Sequence, residues 1–318
     1  MSTEDVPAVR ASGVEKTFGS DGVLDGVDLT VRENEILVLL GPNGVGKTVL
    51  LECLAGSAVP TAGSVEVFGE AVRDDGGESL SFLLQDTMAV ETLTGAENVA
   101  FYERMHPAFT DRHRTYLEDL GLTPDLDKVV ENYSAGMARK LELALTMSVD
   151  APLYLLDEPT ASVDLSMIQR FHDIILDRYD GGSTFVITSH RPLDAELADR
   201  LAFMRDGTIT AVGAPSELMD AVPPVIRVSG SGAMRTAESF VRGGRLFRTG
   251  ATARGFLKPD VEFEELEAAV DTDVEGVRIE RDDATHTDLF NFYVHVVEPQ
   301  RTSGGTPNDD SIEAVVEP

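Results

Sequence analysis

From residue 8 to residue 40 apolar and polar positions alternate, with turn residues at Gly19–Gly22 and Glu33–Asn34, until the alternation gives way to the unbroken run Ile36-Leu37-Val38-Leu39-Leu40. Alternation marks strands with one wet face, and an unbroken apolar run marks a strand buried on both, as in a parallel sheet. A glycine-rich loop, Gly41–Thr48, follows, and the TVLLECLAG stretch from Thr48 to Gly56 has helical spacing that stops at a glycine. SVEVFG at 64–69 predicts a short strand, and residues 96–146 predict mostly helix, broken at Pro107, Pro124 and Tyr133–Gly136.

Two further apolar runs, Leu153–Leu156 and Thr184–Thr188, lead into Asp157-Glu158-Pro159 and Ser189-His190. Strands separated by helices in this rhythm predict an α/β fold with a parallel sheet covered on both faces. Helix is expected from Pro192 to about Arg200, then a hairpin in LAFMRDGTITAVG turning at Asp206-Gly207. Pro223-Pro224 predicts a domain boundary. Short β patterns and one helical pattern at 261–270 follow it, and residues 301–318 have the polar, Gly/Pro-rich composition of a disordered tail.

The loop after the first apolar run, Gly41-Pro42-Asn43-Gly44-Val45-Gly46-Lys47-Thr48, fits the P-loop pattern in full and lies between a predicted buried strand and a predicted helix. In that setting backbone N–H groups turn inward around phosphates and the helix N-terminus adds positive dipole. Lys47 reaches the β- and γ-phosphates, and Thr48 offers a hydroxyl to Mg²⁺. Asp157 and Glu158 stand at the end of a second buried strand, where open α/β sheets hold ligands. Asp157 can hold Mg²⁺ through water, and Glu158 can polarise an attacking water as general base.

Charge changes the list of partners. Against 56 Asp and Glu stand 26 Lys and Arg, a formal net charge of −30, and such a surface repels phosphate backbones. Only five of the cations are lysines, a balance that resembles proteins of halophilic archaea, where salt shrinks the Debye length to about 3 Å and charge reports habitat more than partner. The single cysteine, Cys53, excludes an internal disulfide framework and any multi-cysteine metal site. Acids at the amino terminus and the lack of a long apolar segment lead to the expectation of a cytoplasmic chain that relies on another polypeptide for any membrane span.

With these motifs in order the sequence resembles the nucleotide-binding subunit of ABC (ATP-binding cassette) transporters over roughly residues 8–222. Phe18 stands where that family stacks an aromatic on adenine. Gln85 matches the glutamine that senses Mg²⁺ and water and links to the transport subunit. Tyr133-Ser134-Ala135-Gly136-Met137 matches the signature motif, Ala161-Ser162-Val163-Asp164 the aspartate loop, and His190 the switch histidine. Taken singly, Phe18 reads as a core aromatic, Gln85 as a solvated amide and His190 as a satisfied strand-end histidine; their shared order reverses that. The other histidines, His172 among them, match nothing. Met137, followed by Arg139, Lys140 and Leu141, resembles the branch that exports drugs, sodium or antibiotics, while Ala135 replaces the first signature glycine.

The resemblance implies a RecA-like P-loop NTPase core, a parallel sheet joined by an antiparallel β subdomain and a helical subdomain at about 86–146, together spanning residues 1–222. A small α+β accessory domain at 223–300 would follow. It implies ATP and Mg²⁺ as cofactors, with Glu158, His190 and Gln85 catalytic and Thr48, Gln85 and Asp157 at the metal. Phe18, Gly41–Thr48, Ser134, Ala135, Gly136 and Asp164 would bind ATP. Two copies, or this chain and a second ATP-binding subunit, would close head to tail around two ATP molecules. The dimer would power export through a separately encoded permease at the inner face of the membrane, with no nucleic-acid partner. The alternative is a soluble ABC ATPase acting on nucleic acid, ribosomes or iron–sulfur assembly. In the accessory stretch, arginines between Arg227 and Lys258 precede acids at 260–283; they make either a basic docking face or a set of mutual ion pairs.

Overall fold

The computed structural model describes residues 6–72, 79–85, 88–270 and 276–297, so the expected tail at 301–318 and the start of the helical stretch at 86 lie outside the described residues. The chain divides into two compact units that part between Pro215 and Ser216.

In the first unit the alternating stretch folds as β1 (Val9–Phe18) and β2 (Asp21–Val31), and the apolar run as β3 (Ile36–Leu40), buried throughout. After the glycine-rich loop come α1 (Lys47–Leu54), β4 (Ala62–Val67) and the short β5 (Glu70–Ala71). Then follow β6 (Leu80–Leu83), α2 (Gly95–Met105), α3 (His113–Asp119), α4 (Ala135–Met147), β7 (Leu153–Asp157), α5 (Leu165–Asp180) and β8 (Thr184–Ser189). The hairpin of β9 (Arg200–Arg205) and β10 (Thr208–Gly213) turns at Asp206-Gly207.

The strands form an antiparallel sheet, β2-β1-β4-β5, and a sheet ordered β10-β9-β3-β8-β7-β6, parallel except for the edge strand β10. Leu37 and Leu39 of β3, Leu50, Leu51 and Leu54 of α1, and Val14, Leu24 and Val27 of the antiparallel sheet share one core. Each buried leucine contributes about 2 kcal/mol, so the inner face of α1 fixes it in place, with no side-chain cap at its N-terminus. Because β3, β7 and β8 run parallel, the phosphate-loop residues, Asp157-Glu158 and Ser189-His190 all emerge at one sheet edge.

One element differs from expectation. The helix predicted from Pro192 to Arg200 is a 3-10 turn, Pro192–Leu197, and Arg200 begins β9. The Asp199 carboxylate accepts the Ile36 amide at 2.8 Å and Arg200 binds Glu35 at 3.0 Å, which draws the chain out of helix and alongside β3.

The second unit contains β11 (Val225–Ser229), α7 (Ser231–Ala237), β12 (Phe247–Thr249), β13 (Thr252–Phe256), α8 (Phe263–Ala269), β14 (Arg278–Asp282) and α9 (His286–His295); α6 (Pro215–Asp220) precedes them across the break. The break falls ahead of Pro223-Pro224 because α6 is tied into this unit, the Tyr293 hydroxyl donating to Leu218 O at 3.2 Å. Strand order β12-β13-β11-β14, all antiparallel, with a helix after the first and third strands in chain order, is the split βαβ, ferredoxin-like arrangement. Ile226, Val228, Ala253 and Leu257 pack against Ala233, Met234 and Leu266 from α7 and α8 on one face. On the other, Phe256 meets Phe292 of α9 with ring centroids 5.3 Å apart.

Arg227 and Arg254 turn out to be paired within the unit. Arg227 binds Asp282, and Arg254 binds Asp282 and, at 2.9 Å, Asp288. Asp288 is buried and closes a capping box with Thr285 at the start of α9. Arg254→Gln leaves that carboxylate buried without its cation, at a cost of about 3 kcal/mol. Hydrogen exchange on the intact chain is expected to show α9 amides exchanging faster in this variant while those of β3, β7 and β8 are unchanged; unaltered α9 exchange would show that the pair does not hold the helix.

Candidate functional site

The loop between β3 and α1 lines a cleft of about 260 Å³ with Asn43, Gly44, Gly46, Lys47 and Thr48, joined by Val23, Val49, Gln85 and Glu158. Gly46, the N-cap of α1, has φ 105°, and a Cβ there would lie 2.9 Å from Val23 O, so the turn into the helix admits only glycine. Lys47 is buried, its ammonium donating to Gly41 O at 2.8 Å and Pro42 O at 3.0 Å and facing Glu158 Oε1 at 3.5 Å. Burial pulls its pKa below the usual lysine value, and the carboxylates of Glu158 and Asp157 partly offset that.

At the end of β7 the backbone turns through a left-handed Glu158, φ 46°, a conformation that costs a side-chain-bearing residue about 1 kcal/mol. The turn directs the carboxylate toward the cleft. Its Oε2 meets His190 Nδ1 at 3.1 Å, so the group is bracketed by an ammonium and an imidazole. Thr188 secures the turn twice: its hydroxyl accepts the Glu158 amide at 3.0 Å and donates to Asp157 Oδ1. Asp157 Oδ2 is buried and without a hydrogen-bond partner among the described residues. Across the cleft the Thr48 hydroxyl donates to Gln85 Oε1 at 3.2 Å. These are hard oxygen donors of the kind Mg²⁺ takes, and the unpartnered Asp157 oxygen fits such a cation. No group of three His, Cys, Asp or Glu side chains gathers for a metal among the described residues, so the donors would be this mixed set together with nucleotide oxygens.

Ser134, Ala135, Gly136 and Asp164 do not line this cleft. Ser134 caps α4, its hydroxyl accepting Met137 N at 3.2 Å, and Asp164 caps α5, its carboxylate accepting Met167 N at 3.0 Å. The Ser166 hydroxyl and the Met167 amide hold the exposed Asp164 carboxyl below the usual aspartate range. The two loops touch: a Cβ on Gly136 would lie 3.1 Å from Ser162 O. Ala135 is the first residue of α4 with no positive φ, whereas Ser162 has φ 62°. Phe18 is also outside the cleft, half-exposed at the end of β1 with Lys16 Nζ 4.9 Å from its ring centre.

Sequence reasoning missed several supports. Thr188 is one, a hydroxyl closing an apolar strand. Arg139 and Glu142, a buried ion pair at 3.3 Å inside α4, are others; a charged pair at helical spacing among Leu141, Leu143 and Leu145 was the available signal. His172, which matches no motif, is a satisfied core histidine whose Nε2 meets Asp194 at 3.1 Å. Asp194 in turn accepts Thr160 and Ser189 hydroxyls; burial pushes its pKa up, but His172 and the two hydroxyls outweigh that and hold it below the usual range.

The ABC transporter family model matches residues 24–161. The daunorubicin/doxorubicin resistance ATP-binding protein DrrA of Streptomyces peucetius is 32% identical over 69% of this chain and 68% of its own. The chain belongs to the ABC transporter ATP-binding family. The daunorubicin resistance ATP-binding protein DrrA3 of Streptomyces coeruleorubidus is 33% identical over 70% of the chain and 75% of its own length. A solved ATP-binding subunit of an ABC transporter, 18% identical, superposes with a TM-score of 0.61 over 67% of this chain and 92% of its own, a likeness of fold. As an ABC ATP-binding subunit the chain binds nucleotide and hydrolyses ATP in the service of transport.

Ser162, with a glycine-like backbone, and Ala135, with an ordinary helical one, respond oppositely to glycine. Ser162→Gly relieves a left-handed serine and is expected to raise stability by about 1 kcal/mol. Ala135→Gly relieves nothing and loses about 0.5 kcal/mol of helix propensity at the start of α4. Chemical denaturation of both variants checks this; a stabilising Ala135→Gly would refute the backbone assignment.

Proposed function

We propose that the chain is the energy-supplying subunit of an ABC exporter and that ATP is hydrolysed at the cleft between β3 and α1. The observation that carries this is the Glu158 carboxylate, held at the cleft between Lys47, 3.5 Å away, and His190, 3.1 Å away. In this reading the amides of Gly41–Gly46 and the Lys47 ammonium bind the β- and γ-phosphates. Glu158 takes the proton of the attacking water, His190 holds that carboxylate and the γ-phosphate in register, and Gln85 orients the water. Thr48, Gln85 and Asp157 would hold Mg²⁺, which when bound neutralises phosphate charge. Phe18 stacks on adenine.

Ser134, Ala135, Gly136 and Asp164 point to a shared site: outside the cleft of their own chain, they complete that of a second copy or a second ATP-binding subunit in a head-to-tail dimer. The transport path belongs to a separate permease, which places the subunit peripherally at the inner membrane face. No helix among the described residues is long and apolar enough to cross a membrane. The relatives named for daunorubicin and doxorubicin resistance suggest a drug-like cargo and the export direction. The second unit, which begins at Ser216, serves as an accessory domain.

Glu158→Gln keeps the shape of the base but cannot take a proton. Turnover is expected to fall roughly 10²–10⁴-fold with nucleotide binding retained and an ATP-bound dimer visible by light scattering; hydrolysis at the parental rate would remove Glu158 from the mechanism.

Mixing tests the shared site. Lys47→Ala chains combined with Ser134→Arg chains give a dimer with one doubly defective site and one intact site. Hydrolysis is expected to recover above either variant alone, and full activity of dilute parental monomers would exclude the arrangement.

A further inference from the structure

Arg139 follows the signature motif in sequence, but neither it nor Glu142 has a role in the site described above, and yet the pair touches the flanks of two of its motifs. Arg139 is only 5% exposed, and its guanidinium is aimed at backbone. Nη1 donates to Leu84 O at 2.6 Å, Nε to Pro159 O at 3.3 Å, and Nη2 to Asp157 O and, at 3.1 Å, to Glu158 O. Nη1 also meets Glu142 Oε2 at 3.3 Å, and the other oxygen of Glu142 accepts the Met88 amide at 2.9 Å.

The placement is specific. Strands β6 and β7 pair in parallel up to Leu83 and Leu156, and Leu84 and Asp157 are the first residues past that pairing. The guanidinium fills the fork where the strands part. Glu142 holds the far flank of the Gln85 loop, so the pair grips that loop at Leu84 and at Met88 while holding the carbonyls that run through Glu158. A buried cation here costs several kcal/mol in lost hydration, and only the planar five-donor fork of arginine reaches so many spread acceptors. Both residues sit within the first turns of α4, whose N-terminus is Ser134-Ala135-Gly136.

We propose that Arg139 and Glu142 are positioning residues that fix Gln85 relative to Glu158 and tie both to the end of α4. Seating of a nucleotide at Ser134–Gly136 and alignment of the attacking water are thereby coupled within one chain. The proposal rests on the roles given to Gln85 and Glu158 above.

The test uses the intact chain, with MgATP as the probe, and compares Arg139→Lys, Glu142→Gln, Gln85→Ala, the Arg139→Lys/Gln85→Ala double variant and Glu158→Gln. Lysine keeps the charge but has three donors on a compact head. Arg139→Lys is expected to lose turnover by roughly 10- to 100-fold, with KM for MgATP and equilibrium nucleotide affinity close to the parent at a temperature where the variant is fully folded, although its melting temperature falls because buried acceptors lose their donors. Glu142→Gln, which leaves the fork occupied, is expected to lower turnover in the same way and carries the test if Arg139→Lys does not fold. In the double variant the combined loss is expected to be smaller than the product of the two single losses, because one residue acts through the other. Multiplying losses, or turnover that falls in step with nucleotide affinity or only with the fraction of unfolded chain, would show a merely structural role and overturn the proposal. Parental turnover in Arg139→Lys beside a slowed Glu158→Gln overturns it alone. A parental rate in Glu158→Gln overturns the site assignment and this inference with it.

Discussion

Removing a charge from water costs several kcal/mol unless an opposite charge stands nearby, and the Lys47–Glu158 pair, buried on both sides at 3.5 Å, answers that constraint across two strands. Lys47 is set by the glycine loop after β3, Glu158 by the end of β7, and β8 lies between those strands. The pair therefore requires the three strands to be parallel and in register, with their ends level. It also requires the backbone after Asp157 to bend sharply, which the left-handed Glu158 supplies and Thr188 secures. The strain sits where reacting groups are aimed, as backbone strain in enzymes commonly does.

Much of this was legible in the chain because the signals are local. The runs Ile36–Leu40, Leu153–Leu156 and Thr184–Thr188 are apolar enough to announce buried strands, and the phosphate-loop pattern has one physical meaning between a strand and a helix. Less legible were features that depend on residues far apart. Strand β6 has only Leu80–Leu83 to show, with Ser81 in the middle, and gains its place from pairing with β7. The turn at Pro192–Leu197 has helix-compatible residues, but Asp199 and Arg200 are captured by Ile36 and Glu35, more than 160 positions earlier. Helix α7 is short and glycine-containing, a pattern that reads as loop until the sheet beneath it is known.

The same distinction separates the two units. In the first, function imposes motifs, and motifs are visible. In the second, the charge pattern was ambiguous between a docking face and internal pairing, because sequence cannot say which acid an arginine meets. For two of the arginines register decides it. Arg227 and Arg254 lie opposite one another on β11 and β13, and β14 brings Glu280 and Asp282 alongside β11, so these two cations face acids across the sheet before α9 adds Asp288.

The loops at the starts of α4 and α5 show how a family pattern can be altered without losing its geometry. At Ala135 the backbone is ordinary helix, so a methyl group meets no conformational objection. At Gly136 the objection is spatial, since the Ser162 carbonyl already occupies the approach. Ser162 adopts its left-handed turn despite having a side chain, and that turn is what brings its carbonyl to Gly136. The two loops thus constrain each other. A serine is tolerated where the backbone is left-handed because its cost is about 1 kcal/mol, whereas a side chain at Gly136 would crowd the Ser162 carbonyl between the caps of Ser134 on α4 and Asp164 on α5. Contact, more than propensity, explains why Gly136 is held as glycine while position 135 accepts a methyl group.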